Sequence, residues 1–163
     1  MNIFILDKDP EVAASYQHDK HVVKMVLEST QMLSTAHWLN NSTAKYKPTH
    51  VRHPSTVWAA TSLQNYMWLA RHALALSKEY TKRFGKTHKC HELIVDLLNN
   101  PPKQIPDIGL TDFAIAMDRT KYGHCIVNGD PVESYRNYYR VAKLKLSGWN
   151  KGTPEPDWLY VSK

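Results

Sequence analysis

The stretch YQHDKHVVKMVLESTQMLSTAH, Tyr16 to His37, constrains this chain more than any other. At about 100° per residue, Val22, Val26, Ser29, Leu33 and Ala36 share one side, widened by Val23, Met25 and Met32. His21, Lys24, Glu28, Gln31 and Thr35 fall on a second, narrow stripe, with Leu27 on its far flank and His18 at its edge. The pattern predicts a long helix that must bury its apolar side against other elements. The polar stripe has two readings: a catalytic wall presenting His, Lys and Glu in line, or the solvated side of an ordinary amphipathic helix.

The neighbouring signals are helical as well. Asn2 to Leu6 is a short apolar run, expected as a strand or an extended segment packed on helices. Asp9-Pro10 is a helix start, with Asp as N-cap and Pro at the first helical position. A break near His18 would let Asp19 cap the long helix, which runs to about Leu39. Asn40 to Arg52 is polar and aperiodic, a loop of functional length. A second long helical region, capped by Ser55 or Thr56 and breakable at Ser62 to Gln64, runs to Phe84 and stops at Gly85. Thr87 is expected to cap a third helix to Asn99, which Asn100-Pro101-Pro102 ends. A short helix over Thr111 to Met117 follows, then an irregular stretch with an extended piece at His124 to Val127. Asp130-Pro131 opens a last helix to about Leu146, and Gly148 to Lys163 is a Trp- and Pro-containing tail. The expected fold is all-α: a single helical domain, 1–163, of about five helices with an N-terminal extended segment and an irregular C-terminal tail.

Charge narrows the partner. The 163 residues carry 21 Lys and Arg against 15 Asp and Glu, a net charge of +6 before nine histidines are counted. That balance favours an anionic partner, DNA or a nucleotide. No apolar run reaches the length of a membrane span, and MNIFILDKD is too short and too soon charged for a secretory leader, so a cytoplasmic location is expected. Two cysteines do not make a disulfide framework.

Reactive side chains cluster in several segments. Beside His18, His21, Lys24 and Glu28 stand His50, Arg52 and His53 in the loop. Asn65, His72, Glu79 and Arg83 lie within or beside the apolar stripe of the second long helix. Buried there, they must either pair with one another or line a site. His88 and Lys89 follow, and on the last helix Arg136, Arg140 and Lys143 form a basic flank that is either solvated or in contact with phosphate. His88, Cys90 and His91 look ligand-rich, but no Cys-x-x-Cys or HExxH spacing accompanies them, and no metal or other cofactor is expected. Walker, GxGxxG and GxSxG motifs are absent. The remaining set suits chemistry on a phosphodiester or nucleoside: Arg and Lys on phosphates, Glu28 as general acid or base flanked by His21 and Lys24, the others holding substrate. It equally suits a non-enzymatic factor that binds nucleic acid or another protein.

The order of Gln17 to Glu28, then HPST-x-W at His53 to Trp58, then the aromatic-rich helix from His72 into EYTKRFGKTHK resembles the pyrimidine-dimer DNA glycosylase family. The N-terminal segment is also similar to small proteins of tailed bacteriophages, which would place the chain in a host cytoplasm. The glycosylase resemblance implies an all-helical domain that grips damaged or modified DNA and flips bases out of the duplex. It further implies attack on the sugar carbon by an N-terminal amine, helped by a helix glutamate, through a Schiff base. Here Asn2 follows Met1, Glu28 stands several residues later than the family's glutamate, and Lys24 offers a substitute amine.

Overall fold

Asp9 caps as its position predicts: its Oδ1 accepts hydrogen bonds from the amides of Glu11 and Val12. Pro10 then leads α1 (Pro10–Ser15). The computed structural model describes residues 1–143 and 148–160. The chain breaks at Tyr16 to His18 and resumes as α2 (Asp19–Leu39). Asp19 is the first residue of α2 and not its cap; its carboxylate instead accepts from Arg83 and from the amide of Asn150. The second helical region also breaks where its sequence allows. Ser62 is extended and its Oγ accepts from Asn65 N, separating α3 (Pro54–Thr61) from α4 (Leu63–Phe84). The cap of α3 is His53, whose Nδ1 accepts from Ser55 N, in place of the expected Ser55 or Thr56. Gly85 ends α4 with φ +72°, a conformation that glycine adopts without strain.

The third helix, α5 (His91–Asn99), starts later than Thr87 because His88 Nδ1 takes the amide of Cys90 in a turn of its own. No helix forms over Thr111 to Met117. Thr111 is held to Asn65 at two points, Asn65 Nδ2 to Thr111 Oγ1 and Thr111 N to Asn65 Oδ1, which keeps this stretch out of helical register. The short α6 (Arg119–Tyr122) begins instead at Asp118, and its end runs into a 3₁₀ turn, Gly123–Cys125, with a lone bridge between Val127 and Asp130. The last helix, α7 (Pro131–Tyr138), widens to a π turn over Tyr139–Lys143; its expected end near Leu146 lies outside the described residues. The fold is all-helical, with seven α-helices among the described residues. They exceed the expected five because short pieces cap themselves independently.

The core forms where α2 and α4 pack along each other, with α1 laid on α4 and α3 on α2. Val22, Val26 and Leu33 of α2 and Leu69, Ala73 and Leu76 of α4 are fully buried. Ile3 to Leu6 also lie in this core, with no strand partner among the described residues. Over the described residues the tail closes one side: Trp149 Nε1 donates to Tyr16 O, and Trp158 is buried under Arg136 and Arg140. No helix among the described residues is long and apolar enough to cross a membrane.

Candidate active site

The buried N-terminal segment runs antiparallel to α2. Phe4 stacks on His21 with ring centroids 4.1 Å apart. Three steps of extended chain from Met1 to Phe4 span roughly 10 Å, and the seven helical steps from His21 to Glu28 span about 10.5 Å. The matching lengths bring the start of the chain level with Glu28. The α-ammonium of Met1 lies 3.0 Å from Glu28 Oε1, and Lys24 Nζ lies 3.7 Å from Glu28 Oε2. The Met1 and Glu28 side chains are 3% and 13% exposed, whereas that of Lys24 is 64% exposed. An amine and a carboxylate thus meet in a largely desolvated contact, with a second, solvated amine one helical turn away.

The long loop after α2 doubles back over this pair. Thr35 pins it, donating through Oγ1 to Thr49 O and accepting from Thr49 N. His50 takes a left-handed conformation at φ +48°, and its carbonyl accepts from His53 N, turning the chain into α3. Burial pushes the His53 imidazole below the usual histidine range, and the positive Met1 amine and His50 push it the same way, partly offset by Glu28 and the Met1 backbone. His53 is therefore held toward its neutral form beside the amine. Thr56 Oγ1 faces the Met1 sulfur at 3.7 Å. An open cleft of about 450 Å³ begins at His53 and Pro54 and is closed opposite by Ile115 to Arg119.

The candidate residues therefore divide. Glu28, Lys24, His50 and His53 belong to one neighbourhood, and exposed Arg52 stands in the same turn. His18 and His21 face inward into an aromatic cluster: their rings stack at 4.1 Å, and Tyr139 Oη lies 2.8 Å from His21 Nδ1. Asn65 is fully buried and spends its amide on Thr111 and the carbonyl of Trp58. His72 is buried between Pro10 O, to which Nδ1 donates, and Gln17 Nε2, which donates to its Nε2; both nitrogens are used and the neutral tautomer is set. Arg83, with no exposed side-chain surface, reaches Glu79, Asp19 and the carbonyls of Ser15 and Gln17, while Glu79 also accepts from Thr153. His72, Glu79 and Arg83 thus meet α1 and the α1–α2 joint, and Asn65 meets Thr111 and the carbonyl of Trp58 in α3. Asn65, His72, Glu79 and Arg83 brace the frame where a substrate contact was expected, because buried polar groups must find partners within the protein.

His88 and Lys89 lie at the foot of α5, His88 against Tyr80. His91 Nδ1 pairs with Ser77 Oγ and Cys90 Sγ with Tyr46 Oη, so these neighbours point to separate partners. Among the described residues no group of three or more His, Cys, Asp or Glu gathers as metal ligands would. Of the basic flank on α7, Arg136 is tied to Asp7 and Leu6 O, and Arg140 to Glu133, Asn137 and Trp158 O. Lys143, the third residue of that flank, lies at the edge of the described residues. A larger cleft, about 540 Å³, opens at the far end of α2 beside Asn40, Lys45 and Gln104. Its histidine, His37, donates from Nε2 to Tyr66 and accepts at Nδ1 from Ser42, so the geometry for chemistry is better at Met1.

The sequence model of the pyrimidine dimer DNA glycosylase family matches residues 1–92, more than half of the chain. The chain belongs to this family. No curated protein and no solved structure gives a significant match. Membership brings a DNA glycosylase-type role and DNA as the substrate class, and the matched residues include the amine, Glu28 and His53. Met1 stood outside the candidate residues read from the sequence, although the family resemblance implied an N-terminal amine. Its signal was the apolar run directly behind it: a buried Ile3 to Leu6 leaves the first residue little room to stray.

Proposed function

We propose that the protein is a DNA glycosylase with lyase activity on damaged or modified pyrimidine nucleotides, using the α-amine of Met1 as nucleophile and Glu28 as proton acceptor and donor. The observation that carries this reading is the 3.0 Å contact between the Met1 amine and Glu28, beside His53, which lines an open cleft. An ammonium has no lone pair, so attack requires that a proton leave first, and a carboxylate at hydrogen-bond distance can take it. The amine nitrogen then bonds to C1′ of the sugar as the glycosidic bond breaks, and the base leaves with that electron pair and a proton. Ring opening gives an imine between protein and sugar. The imine acidifies C2′, so that elimination breaks the 3′ C–O bond, and water finally releases the protein. Lys24, Arg52 and His50 are solvated and suit phosphate contacts beside the cleft. His53, held toward neutrality, suits hydrogen bonding to the sugar or base.

Borohydride trapping tests the reading, with oligonucleotides carrying an abasic site, a thymine dimer or no lesion. The expected result is a covalent adduct on damaged DNA that maps to residue 1. Glu28→Gln should lower its rate by about 10²–10⁴-fold while leaving DNA binding nearly intact. Salt-sensitive DNA binding with no adduct on any substrate would retire the amine mechanism in favour of a binding factor or a glycosylase that activates water.

A further inference from the structure

The amine is carried on Met1, but the first side chain with a full set of anchors is that of Asn2. Its Nδ2 donates to Ala116 O at 2.7 Å. Its Oδ1 accepts from Tyr135 Oη at 2.8 Å and from Ile3 N at 2.8 Å. Tyr135 Oη in turn accepts from Ala116 N at 2.9 Å. Three residues distant in sequence thereby close a ring in which each donor has its acceptor. Tyr135 is fully buried and meets Phe4 edge-on, and Phe4 stacks on His21 of α2. Ala116 is also a wall residue of the cleft beside the amine.

On the reading of Met1 as nucleophile, we propose that Asn2 and Tyr135 are positioning residues, locking the α-amine against Glu28 and the Ala116 wall against the amine through this ring. Tyr135 and Ala116 lie outside the family match over 1–92, so the second half of this chain completes the site of the first. Neither Asn2 nor Tyr135 lines the cleft. Their effect is geometric: without the ring, Met1 is held by the ion pair to Glu28 and the sulfur contact to Thr56. A displacement of about 1 Å at a nucleophile can lower its rate about 100-fold.

The test compares wild type with Tyr135→Phe, which removes the shared hydroxyl, and Asn2→Asp, which turns the donor facing Ala116 O into an acceptor. Asn2→Asp preserves side-chain size, and intact-mass measurement verifies residue 1 in each protein. Trapping rates are measured against the concentration of abasic-site DNA. Each substitution should lower the maximal rate by about 10- to 100-fold with KM within threefold, and the double variant should fall no further than the weaker single. Maximal rates at the wild-type level in both variants, or losses confined to KM, would overturn the proposal while leaving the nucleophile in place. A wild type that forms no adduct would overturn the parent reading instead. If Tyr135→Phe does not fold, Asn2→Asp alone decides between these outcomes.

Discussion

Arg83 separates a framework role from a substrate role by a large margin. Its guanidinium donates from Nε to Glu79 at 2.9 Å, from one terminal nitrogen to Gln17 O at 2.6 Å and Asp19 at 3.2 Å, and from the other to Ser15 O at 3.0 Å. Arg83→Met keeps much of the volume and deletes all four hydrogen bonds. Asp19 would retain the amide of Asn150 and Glu79 the hydroxyl of Thr153, but two carbonyls at the α1–α2 joint would lose this partner. Breaking a buried, hydrogen-bonded ion pair from one side costs about 3–5 kcal/mol. For a chain of this length each kcal/mol moves Tm by about 2–4 °C, so thermal unfolding should shift down by roughly 6–20 °C. Below its own transition, the variant should bind DNA with an unchanged salt slope. An arginine on a phosphate would do the reverse: stability within about 0.5 kcal/mol and a salt slope reduced by about one contact. Arg83→Met with an unshifted Tm and weakened DNA binding would refute the framework assignment.

His72 makes stability depend on pH. Burial lowers its pKa to about 4, against an ordinary 6.5. The unfolded chain therefore takes up a proton that the folded one refuses, and stability, complete above pH 6.5, falls by up to about 1.4 kcal/mol per pH unit toward pH 4. Urea unfolding at pH 7 and pH 5 should show wild type losing about 2 kcal/mol more than His72→Leu; equal losses would show that His72 is not the buried neutral group described. Lys24→Ala should change stability by less than about 1 kcal/mol, since the Lys24–Glu28 pair is solvated on one side. At saturating abasic-site DNA it should still form the borohydride adduct on residue 1; a wild-type adduct that maps to Lys24 would make Lys24 the nucleophile.

The helical class, the Asp9-Pro10 start, the break at Ser62 and the stop at Gly85 were legible because each rests on local chemistry: a cap, a missing amide, a glycine. Boundaries failed where a side chain met a distant partner. Thr111 would have capped a helix had Asn65 not taken it, and His88 formed a turn that delayed α5. The candidate residues divided in the same way. Glu28 could be singled out from its place on α2, yet nothing local distinguished His21, which stacks under Phe4, from Lys24, which faces solvent.

By itself the sequence determined that an amphipathic α2 must be buried, that Glu28 stands in line with Lys24 on its polar side, and that the first residues are too apolar to stay in water. Periodicity and transfer free energy suffice for that. Only the tertiary structure decided that the Met1 amine reaches Glu28, that Asn2 is closed into a ring with Ala116 and Tyr135, and that Arg83 braces the α1–α2 joint. Those contacts join residues dozens of positions apart. Their partners are chosen by which buried donors and acceptors remain unsatisfied once the helices have packed, a choice that no local pattern along the chain encodes.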